Sequence, residues 1–527
     1  MVGRYEASMC VAVVEELFGA NVAKVFASLQ REPSGLPPII VRLRGQINLG
    51  QIRKSLTVLI QHRLVEFRMD ARNRAEYQVN EATIRFYLMA PKCCMYAKRL
   101  FGAAAELICE ELLCEGQLSC SDTIRRIHKR YDHLSVDELK KVFYDLSATQ
   151  FVIRLPPLDL KGKITPSFSL EYSPFEMPNK ILDGEENAAK VKLEPGASRK
   201  RKAPFDETSQ DSDAQIYWTI NWERFGIYIR DEMVTEFLVP QDSTDKTAFL
   251  FRQTVRALLK ANETKSAGMN VSSSAPISLF QMIQIIKDND CGIERADLEF
   301  ALDSLSNETR GVLRKTGESN GGIYMIDFAK AFILISQGHV ESLIREQLDV
   351  KGIRIFRLLQ NRGYLDEEQV EKQSMLSNKD VRELVYSMLE MGYLNVQVLG
   401  KTADFAPART FYLYYVSLPK TVRCVVEDIA KMLRNLILRR AHETREHKQL
   451  AEKNLKKESI IEGIKLDDTL DEESRKAQIE EVEEMYMPPA DREKLAAHKL
   501  ALGKLIAAES HAADALFACR LFLDYHV

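Results

Sequence analysis

One spacing of apolar residues recurs four times along this chain. Each copy has apolar residues at positions i, i+4 and i+7, followed by two adjacent apolar or aromatic residues. The copies begin at Ile52, Leu139, Leu298 and Val381, and the copy at Leu298 ends two residues later than the others. Positions i, i+4 and i+7 lie on one face of a helix about three turns long. The pattern therefore predicts four helices, each followed by an extended segment.

The segments after these helices predict β-hairpins, because apolar runs flank polar or glycine-containing tips. The predicted strands are Val65–Met69 with a return through Tyr77 and Val79, Val312–Lys315 with Ile323–Ile326, and Leu394–Leu399 with Phe411–Val416. The copy at Leu139 stops at Pro156 and Pro157, so its predicted hairpin, or wing, is the weakest.

Amphipathic helices are predicted upstream of every repeated helix. They are Val11–Leu29, Ala104–Leu113 with Asp122–Arg130, Ile277–Lys287, and Val340–Arg362. Three helices followed by a hairpin form a winged helix, whose third helix can enter the DNA major groove. We therefore expect a mainly α chain with small β-hairpins (α+β) and four tandem winged-helix modules. A chance recurrence of common helix–hairpin units is the alternative.

Composition places the boundaries between these modules. Residues 158–214 are rich in Pro, Ser, Asp and Glu and predict a flexible linker. Two long apolar stripes after Pro419, separated by an acidic stretch, predict a C-terminal antiparallel coiled-coil stalk, or alternatively a helical cap on the last module. The predicted domains are module one (1–90), module two (91–157), the linker (158–214), module three (215–332), module four (333–419) and the coiled coil (420–527).

Positive charge is local, because the net charge of the 527-residue chain is only −3. Modules one and two carry basic residues where winged helices meet DNA phosphates. These DNA-contact candidates are Arg42, Arg44, Arg53, Lys54, Arg68, Arg72, Arg74, Arg125, Arg126, Lys140 and Lys141. The repeated helix of module three is acidic. The hypothesis is that modules one and two face nucleic acid and modules three and four face protein, the alternative being a merely solvated basic surface.

A run of four basic residues in the linker is a candidate nuclear-localisation signal. It consists of Arg199, Lys200, Arg201 and Lys202. Such a cluster suits the acidic groove of an import receptor, so we expect the protein in the nucleus.

The sequence contains no catalytic constellation. Leu399-Gly400-Lys401-Thr402 lacks the first glycine of a phosphate-binding loop, and no cysteine pair has the spacing of a metal site. His442 and His447, five residues apart on one helix, diverge by roughly 140° and cannot share a metal. We therefore expect no enzymatic activity, no metal, no cofactor and no small-molecule substrate. No apolar run reaches membrane-spanning length, so we expect no membrane association.

Several strings resemble the large winged-helix subunit of RNA polymerase III, its third-largest subunit. They are SLTVLIQHRLVEF followed by EYQVN, GAAAELICEELLCEGQL, and the run from Tyr217 through Phe225 with Arg230-Asp231. The resemblance implies a non-catalytic subunit, related to TFIIE alpha, that joins a second winged-helix subunit and an acidic-tailed subunit on the clamp of the largest subunit. It implies a role, alongside TFIIIB, in opening promoter DNA and initiating transcription of transfer RNA, 5S ribosomal RNA and other small RNAs.

Two other classes remain open. One is a protein-interaction scaffold of the proteasome-lid or signalosome type, in which long helical repeats end in a single winged helix. The other is a TFIIE-like general transcription factor, although the zinc ribbon of TFIIE alpha has no counterpart here. A DNA-modifying enzyme is the least favoured class, because no residues exist to perform the chemistry.

Overall fold

The computed structural model is mainly helical with small antiparallel sheets, which confirms the predicted fold class at that level. It describes residues 3–69, 74–131, 134–159, 167–168, 172–177, 213, 216–240, 246–263, 268–288, 293–400, 410–466 and 472–526. The chain divides into two compact units. Met1–Ala23 and Ala329–Val527 form one, here called the terminal unit, and Lys24–Phe328 form the central unit.

The first repeated helix and its hairpin lie where the sequence predicts them. The elements are α1 (Arg4–Phe18), α2 (Ala20–Arg31), α3 (Leu36–Arg42), α4 (Leu49–Gln61), β1 (Val65–Met69) and β2 (Ala75–Val79). At the start of α4 the side chain of Gln51 accepts a hydrogen bond from the backbone N–H of Asn48 at 3.2 Å. Ile52, Leu56 and Leu59 then form the buried face of the helix, so the repeated spacing marks the side of α4 that packs into the core.

The helix predicted over Val11–Leu29 is in fact two helices. Gly19, with φ of 88°, separates α1 from α2, and this left-handed backbone conformation favours glycine. The apolar spacing continues across Gly19 because both helices bury one face, so periodicity alone did not reveal the break.

The second wing is closed by a distant strand. The elements are α5 (Glu81–Leu88), α6 (Ala90–Phe101), α7 (Ala103–Glu115), α8 (Cys120–Arg130), α9 (Val136–Ala148), β3 (Val152–Arg154), β4 (Leu158–Asp159), β5 (Ser167–Phe168) and β6 (Trp218–Ile220). Strand β3 pairs antiparallel with β6, placing Val152 opposite Ile220. Trp218, which the sequence analysis assigned to module three, thus completes the sheet that follows α9. It is fully buried and packs edge-on against Phe143 of α9.

The third repeated helix is followed by a complete hairpin. The elements are α10 (Trp222–Leu238), α11 (Lys246–Glu263), β7 (Ile277–Ser278), α12 (Leu279–Asp288), α13 (Arg295–Glu308), β8 (Leu313–Gly317) and β9 (Ile323–Ile326). The three strands form one sheet in the order β7-β9-β8. At the hairpin tip Gly321 and Gly322 have φ of 86° and 113°, and a Cβ on Gly322 would lie 2.8 Å from the ring of Tyr324. Glycine is therefore required at this turn.

The fourth repeat lies in the terminal unit, apart from Phe328, the first residue of its leading helix. The elements are α14 (Phe328–Arg362), α15 (Glu367–Ser374), α16 (Asn378–Glu390), β10 (Asn395–Gly400) and β11 (Thr410–Tyr415). Helix α14 is kinked at Asp349, whose φ of 57° and ψ of −170° are not helical. Leu365 forms a bridge to Tyr414, so a short extended segment precedes α15 at the edge of the hairpin.

Long helices complete the terminal unit. They are α17 (Leu418–Glu446), α18 (Lys448–Leu466), α19 (Glu472–Tyr486) and α20 (Pro489–Tyr525). Helices α17 and α20 run antiparallel, since Arg440 contacts Glu509 and, one turn further along α17, Glu443 lies near His498. No helix among the described residues is long and apolar enough to cross a membrane.

Helix α1 packs against α17 in this unit, a pairing that no local sequence pattern indicates. The Tyr5 backbone N–H donates to Glu427 at 2.8 Å, and Arg440 pairs with Glu16. Helix α1 also contacts α20, where Arg520 pairs with Glu6, a fully buried carboxylate. The N-terminal helix thus packs in a bundle with α17 and α20.

Candidate nucleic-acid interface

Helix α4 presents the strongest set of basic candidates. Arg53 and Lys54 are exposed on it, away from the buried residues Ile52 and Leu56. The helix contains no acidic residue, so neither charge is offset along its own length. This is the helix that would enter a major groove if the module docks like a winged helix.

Three further candidates surround this helix. Arg44 is exposed in the turn between α3 and α4, and Arg74 is exposed next to β2. Arg68 is exposed on β1 but lies directly opposite Glu76 on β2, which partly offsets its charge. Arg72 lies outside the described residues. The described candidates of the hairpin thus contribute less net charge than the sequence count indicates.

Arg42 stabilises its own module. Its Nη1 donates to the carbonyl oxygen of Ser28 at 3.2 Å and to Oγ of Ser34 at 3.0 Å, and its Nη2 pairs with Glu32 at 2.6 Å. These contacts join the end of α3 to the end of α2, so Arg42 is less able to reach a phosphate than Arg53 or Lys54.

In module two, acidic neighbours offset the arginines of α8. Arg125 contacts Asp122 at 3.2 Å, and Arg126 pairs with Glu115 of α7. Arg130, on the same helix, pairs with Glu111, whose side chain is only 6% exposed. The basic surface predicted there is therefore much weaker in net charge than a count of arginines implies.

The repeated helix of module two, α9, is also not basic overall. Lys140 and Lys141 share it with Asp137, Glu138 and Asp145. Lys141 is exposed and Lys140 is half-buried. Of the repeated helices in modules one and two, α4 is the one with a net positive charge.

The corresponding helices of modules three and four expose acidic and aromatic side chains. On α13, Asp297 and Asp303 are exposed on either side of Phe300, which is 59% exposed. On α16, Tyr386 is 62% exposed. Exposed aromatic residues are enriched where proteins meet proteins, whereas acidic side chains repel phosphates.

The candidate nuclear-localisation residues Arg199, Lys200, Arg201 and Lys202 lie outside the described residues. They remain a prediction from the sequence.

Cysteines that are buried or half-buried in this fold are poor nucleophiles. Burial raises the pKa of Cys94 and of Cys519 to about 12, and it raises the pKa of the fully buried Cys109 well above its usual value. These thiols stay protonated at neutral pH, and protonated thiols neither attack electrophiles nor bind metals readily.

A cavity of about 460 Å³ lies in the central unit and was not found from the sequence. Phe151 and Arg224 line it, with the Arg224 guanidinium 4.8 Å from the Phe151 ring centre. On its wall Glu232 contacts Arg99 and Arg256, and Arg224 pairs with Glu263. The lining side chains come from positions as distant as Arg99 and Ile286, so no local sequence pattern could have indicated the cavity.

Acid is expected to destabilise the central unit through His62, the buried residue that ends α4. Its Nδ1 lies 3.0 Å from the hydroxyl of Tyr87, and burial lowers its pKa from 6.5 to about 4. Because the folded state disfavours the charged ring, this stability is full above pH 6.5 and is lost as the pH falls toward 4. The difference is worth about 3 kcal/mol.

The two tryptophans of the chain, Trp218 and Trp222, both lie in the central unit, so urea unfolding followed by tryptophan fluorescence measures this effect. His62→Gln should flatten the loss of stability between these pH values. An equally steep loss in the variant would show that His62 is not the responsible group.

Comparison with known proteins relates these regions to one family. Residues 8–70 match the helix-turn-helix domain of RNA polymerase III subunit RPC82, and residues 171–333 match the model of that subunit. Residues 340–416 match the C-terminal winged-helix domain of POLR3C. The chain is 29% identical over 541 residues to a Homo sapiens protein named DNA-directed RNA polymerase III subunit RPC3, with 98% of each chain covered. The chain belongs to this family of RNA polymerase III subunits.

Other relatives in the family carry the same name. The Danio rerio protein is 28% identical over 549 residues, again with 98% of both chains covered. The Emericella nidulans protein is 20% identical over 580 residues, covering 86% of this chain and 92% of its own. The resemblance stated from the sequence is thus confirmed, and it favours the polymerase subunit over the proteasome-lid and TFIIE-like alternatives.

The winged-helix prediction is confirmed where a domain model and the structure coincide. The domain at residues 340–416 spans the last two thirds of α14, helices α15 and α16, and the hairpin β10–β11. The helix-turn-helix match at 8–70 includes α4 and the first strand of its wing. The helix with exposed Arg53 and Lys54 therefore lies inside a recognised helix-turn-helix domain of the RPC82 family.

Proposed function

We propose that this chain is a non-catalytic subunit of nuclear RNA polymerase III that contacts DNA through module one and supports promoter opening and initiation. The observation that carries the proposal is the exposed Arg53–Lys54 pair on α4, inside the matched helix-turn-helix domain of a polymerase subunit family. The proposed partners are the second winged-helix subunit, the acidic-tailed subunit, the clamp of the largest subunit, TFIIIB and DNA. The linker residues Arg199–Lys202 would direct nuclear import.

All four repeats are proposed to be winged-helix modules. In each, a leading helix precedes a short extended contact, two further helices and two paired strands. The extended contacts are the Ser34–Tyr77 and Leu118–Trp218 bridges, strand β7, and the Leu365–Tyr414 bridge. This order is that of a winged helix with its small sheet. The helices α17 to α20 are proposed to form the stalk, with α1 packed against it.

Module one, rather than modules one and two together, is proposed as the main DNA contact. Two observations support this narrower assignment. Helix α4 has a net positive charge, whereas α9 carries three acidic and two basic residues. The arginines of α8 already have carboxylate partners, and a phosphate would have to compete with them.

Reversing both charges of α4, with Arg53→Glu and Lys54→Glu, is expected to weaken binding of the full chain to duplex DNA. Loss of two phosphate contacts should reduce the slope of log affinity against log salt by about 2, and lower affinity about 100-fold at low salt. Fluorescence anisotropy across a salt series measures both quantities, on duplex and on single-stranded DNA.

Lys372→Glu with Lys379→Glu is the matched control, because it changes the net charge equally at exposed positions of module four. It should leave most of the affinity intact. Equal losses in the two double variants would indicate a general charge effect and contradict a specific contact by α4.

Modules three and four are proposed to bind the partner subunits. Phe300→Asp with Tyr386→Asp should reduce recovery of other polymerase subunits with the tagged chain at least several-fold, because charged side chains are depleted at the centre of interfaces. Tyr144→Asp is the control, since Tyr144 on α9 is 59% exposed, as Phe300 is. Normal recovery with the double variant would refute the assignment.

A further inference from the structure

Three potential metal ligands converge where α17 ends. Glu443 lies in the last turns of α17, His447 follows at the junction with α18, and His498 lies on the facing helix α20. One ligand atom from each lies within 4.8 Å of the other two, and the two imidazole centres are 4.4 Å apart. The Nε2 atom of His447 lies 3.8 Å from a carboxylate oxygen of Glu443.

His498 has an unexplained buried nitrogen. The residue is only 7% exposed, and its Nδ1 has no hydrogen-bond partner. A buried polar atom without a partner costs about 1–3 kcal/mol, and such an atom in a native fold indicates a missing ligand or an unusual role. Here it belongs to a side chain that already faces a second imidazole and a carboxylate.

We propose that Glu443, His447 and His498 bind one divalent transition-metal ion, with zinc as the expected ion. Two imidazoles and one carboxylate are a ligand set that zinc accepts, leaving a fourth position for water. Ligand atoms about 2.0–2.1 Å from a tetrahedral zinc lie about 3.3 Å apart, so these side chains must close by up to roughly 1.5 Å. Rotation about side-chain bonds supplies a movement of that size.

The surroundings already orient these ligands. Arg439 contacts one oxygen of Glu443 at 2.5 Å, while the other oxygen faces His447. A carboxylate held in this way keeps one oxygen directed at the ion, as groups behind metal ligands commonly do. The His447 side chain is 37% exposed, so an ion can enter from solvent.

The ion would link the α17–α18 junction to α20. Residues 443 and 447 are one helical turn apart and lie on the same face, whereas His442 lies outside the cluster and is 62% exposed. In the sequence, the pair His442 and His447 has a spacing that is incompatible with a shared metal. The third ligand is 51 positions beyond His447, and folding alone brings it to the site.

The test uses the full chain, stripped with a chelator and titrated with zinc in a calorimeter. A triple variant with Glu443→Gln, His447→Gln and His498→Gln measures the zinc that binds elsewhere on the chain. We expect the wild type to bind one more ion per chain than this variant. Cobalt should give the visible absorption bands of a four-coordinate site. Excess zinc should raise the Tm of the terminal unit by about 5 °C.

His447→Gln and His498→Gln should each abolish this ion and the Tm rise, whereas His442→Gln should keep both. If replacing the buried His498 impairs folding, the partly exposed His447→Gln variant still tests whether the site binds zinc. Zinc binding or stabilisation that is the same in His447→Gln as in the wild type would overturn the proposal, as would the absence of an extra ion in the wild type.

Discussion

Replacing Asp231 by Ala is expected to destabilise the central unit by about 3–5 kcal/mol, because it leaves a buried cation without its counter-charge. Arg230 is fully buried, and its Nε and Nη2 lie 2.9 and 2.8 Å from Oδ1 of Asp231. Its guanidinium also lies 3.9 Å from the centre of the Phe328 ring and donates to the carbonyl of Met269. None of these other contacts supplies a negative charge.

Asp231 is ionised at neutral pH, which is the condition this prediction needs. Burial raises the pKa of its carboxyl to about 6, and Arg230 opposes that rise. An arginine remains charged at any pH at which the protein folds. The pair is therefore an ion pair at neutral pH, and removing the carboxylate cannot be compensated by deprotonation of its partner.

Urea unfolding monitored through Trp218 and Trp222 measures this loss in the central unit. The control is the double variant Arg230→Met with Asp231→Leu, which replaces the pair with apolar side chains. It should be far more stable than Asp231→Ala, since buried pairs are often replaceable as a whole. A double variant as unstable as the single one would mean that packing, not charge, dominates at this position.

The repeated helices were predictable because each buries one continuous face. Offsets of four and seven residues place Leu139, Phe143 and Leu146 on the same side of α9, and all three are fully buried. The same holds for Val381, Val385 and Met388 on α16. A helix that rests on a single core leaves this local signal in the sequence, which is why these helices and their following strands lie close to their predicted positions.

Pairings between distant segments leave no such signal. Strand β3 pairs with β6, which lies more than 60 positions further along the chain. Two prolines shortly after β3 indicate instead that the wing ends there. The closing strand is short, and its Trp218 looks in the sequence like the start of the next module. Only the register with Arg154 opposite Trp218 shows where it belongs.

Counting basic residues in the sequence also overestimated the net positive charge of the candidate interface. The sequence shows how many arginines lie in a segment but not which carboxylates fold against them. Arg42 and Arg126 were as good candidates as Arg53 by count, yet both have acidic partners outside their own helices. Exposure without an ion pair to another described residue favours Arg53 and Lys54 over Arg42 and Arg126, and this property required the structure.

Helix α1 is a further case in which the sequence does not show the packing partner. Its apolar spacing predicted that it belongs to the leading helix of module one. Met9, Cys10, Val13 and Val14 are its buried face. The structure packs α1 on α17, within the terminal unit, and pairs its Glu6 with Arg520 of α20. The two interpretations make opposite claims about which helices lose stability when α1 is disrupted.

Val13→Asp is expected to destabilise the bundle of α1, α17 and α20 by about 3–5 kcal/mol. Val13 is only 4% exposed, and a buried charge without a partner is costly. Hydrogen exchange followed by mass spectrometry should show faster exchange across Leu418–Glu446, with α4 unchanged. Leu17→Asp is the matched control, since Leu17 lies on the same helix and is 51% exposed, and it should leave both regions protected. Faster exchange in α4 with normal protection of α17 would indicate instead that α1 packs against module one.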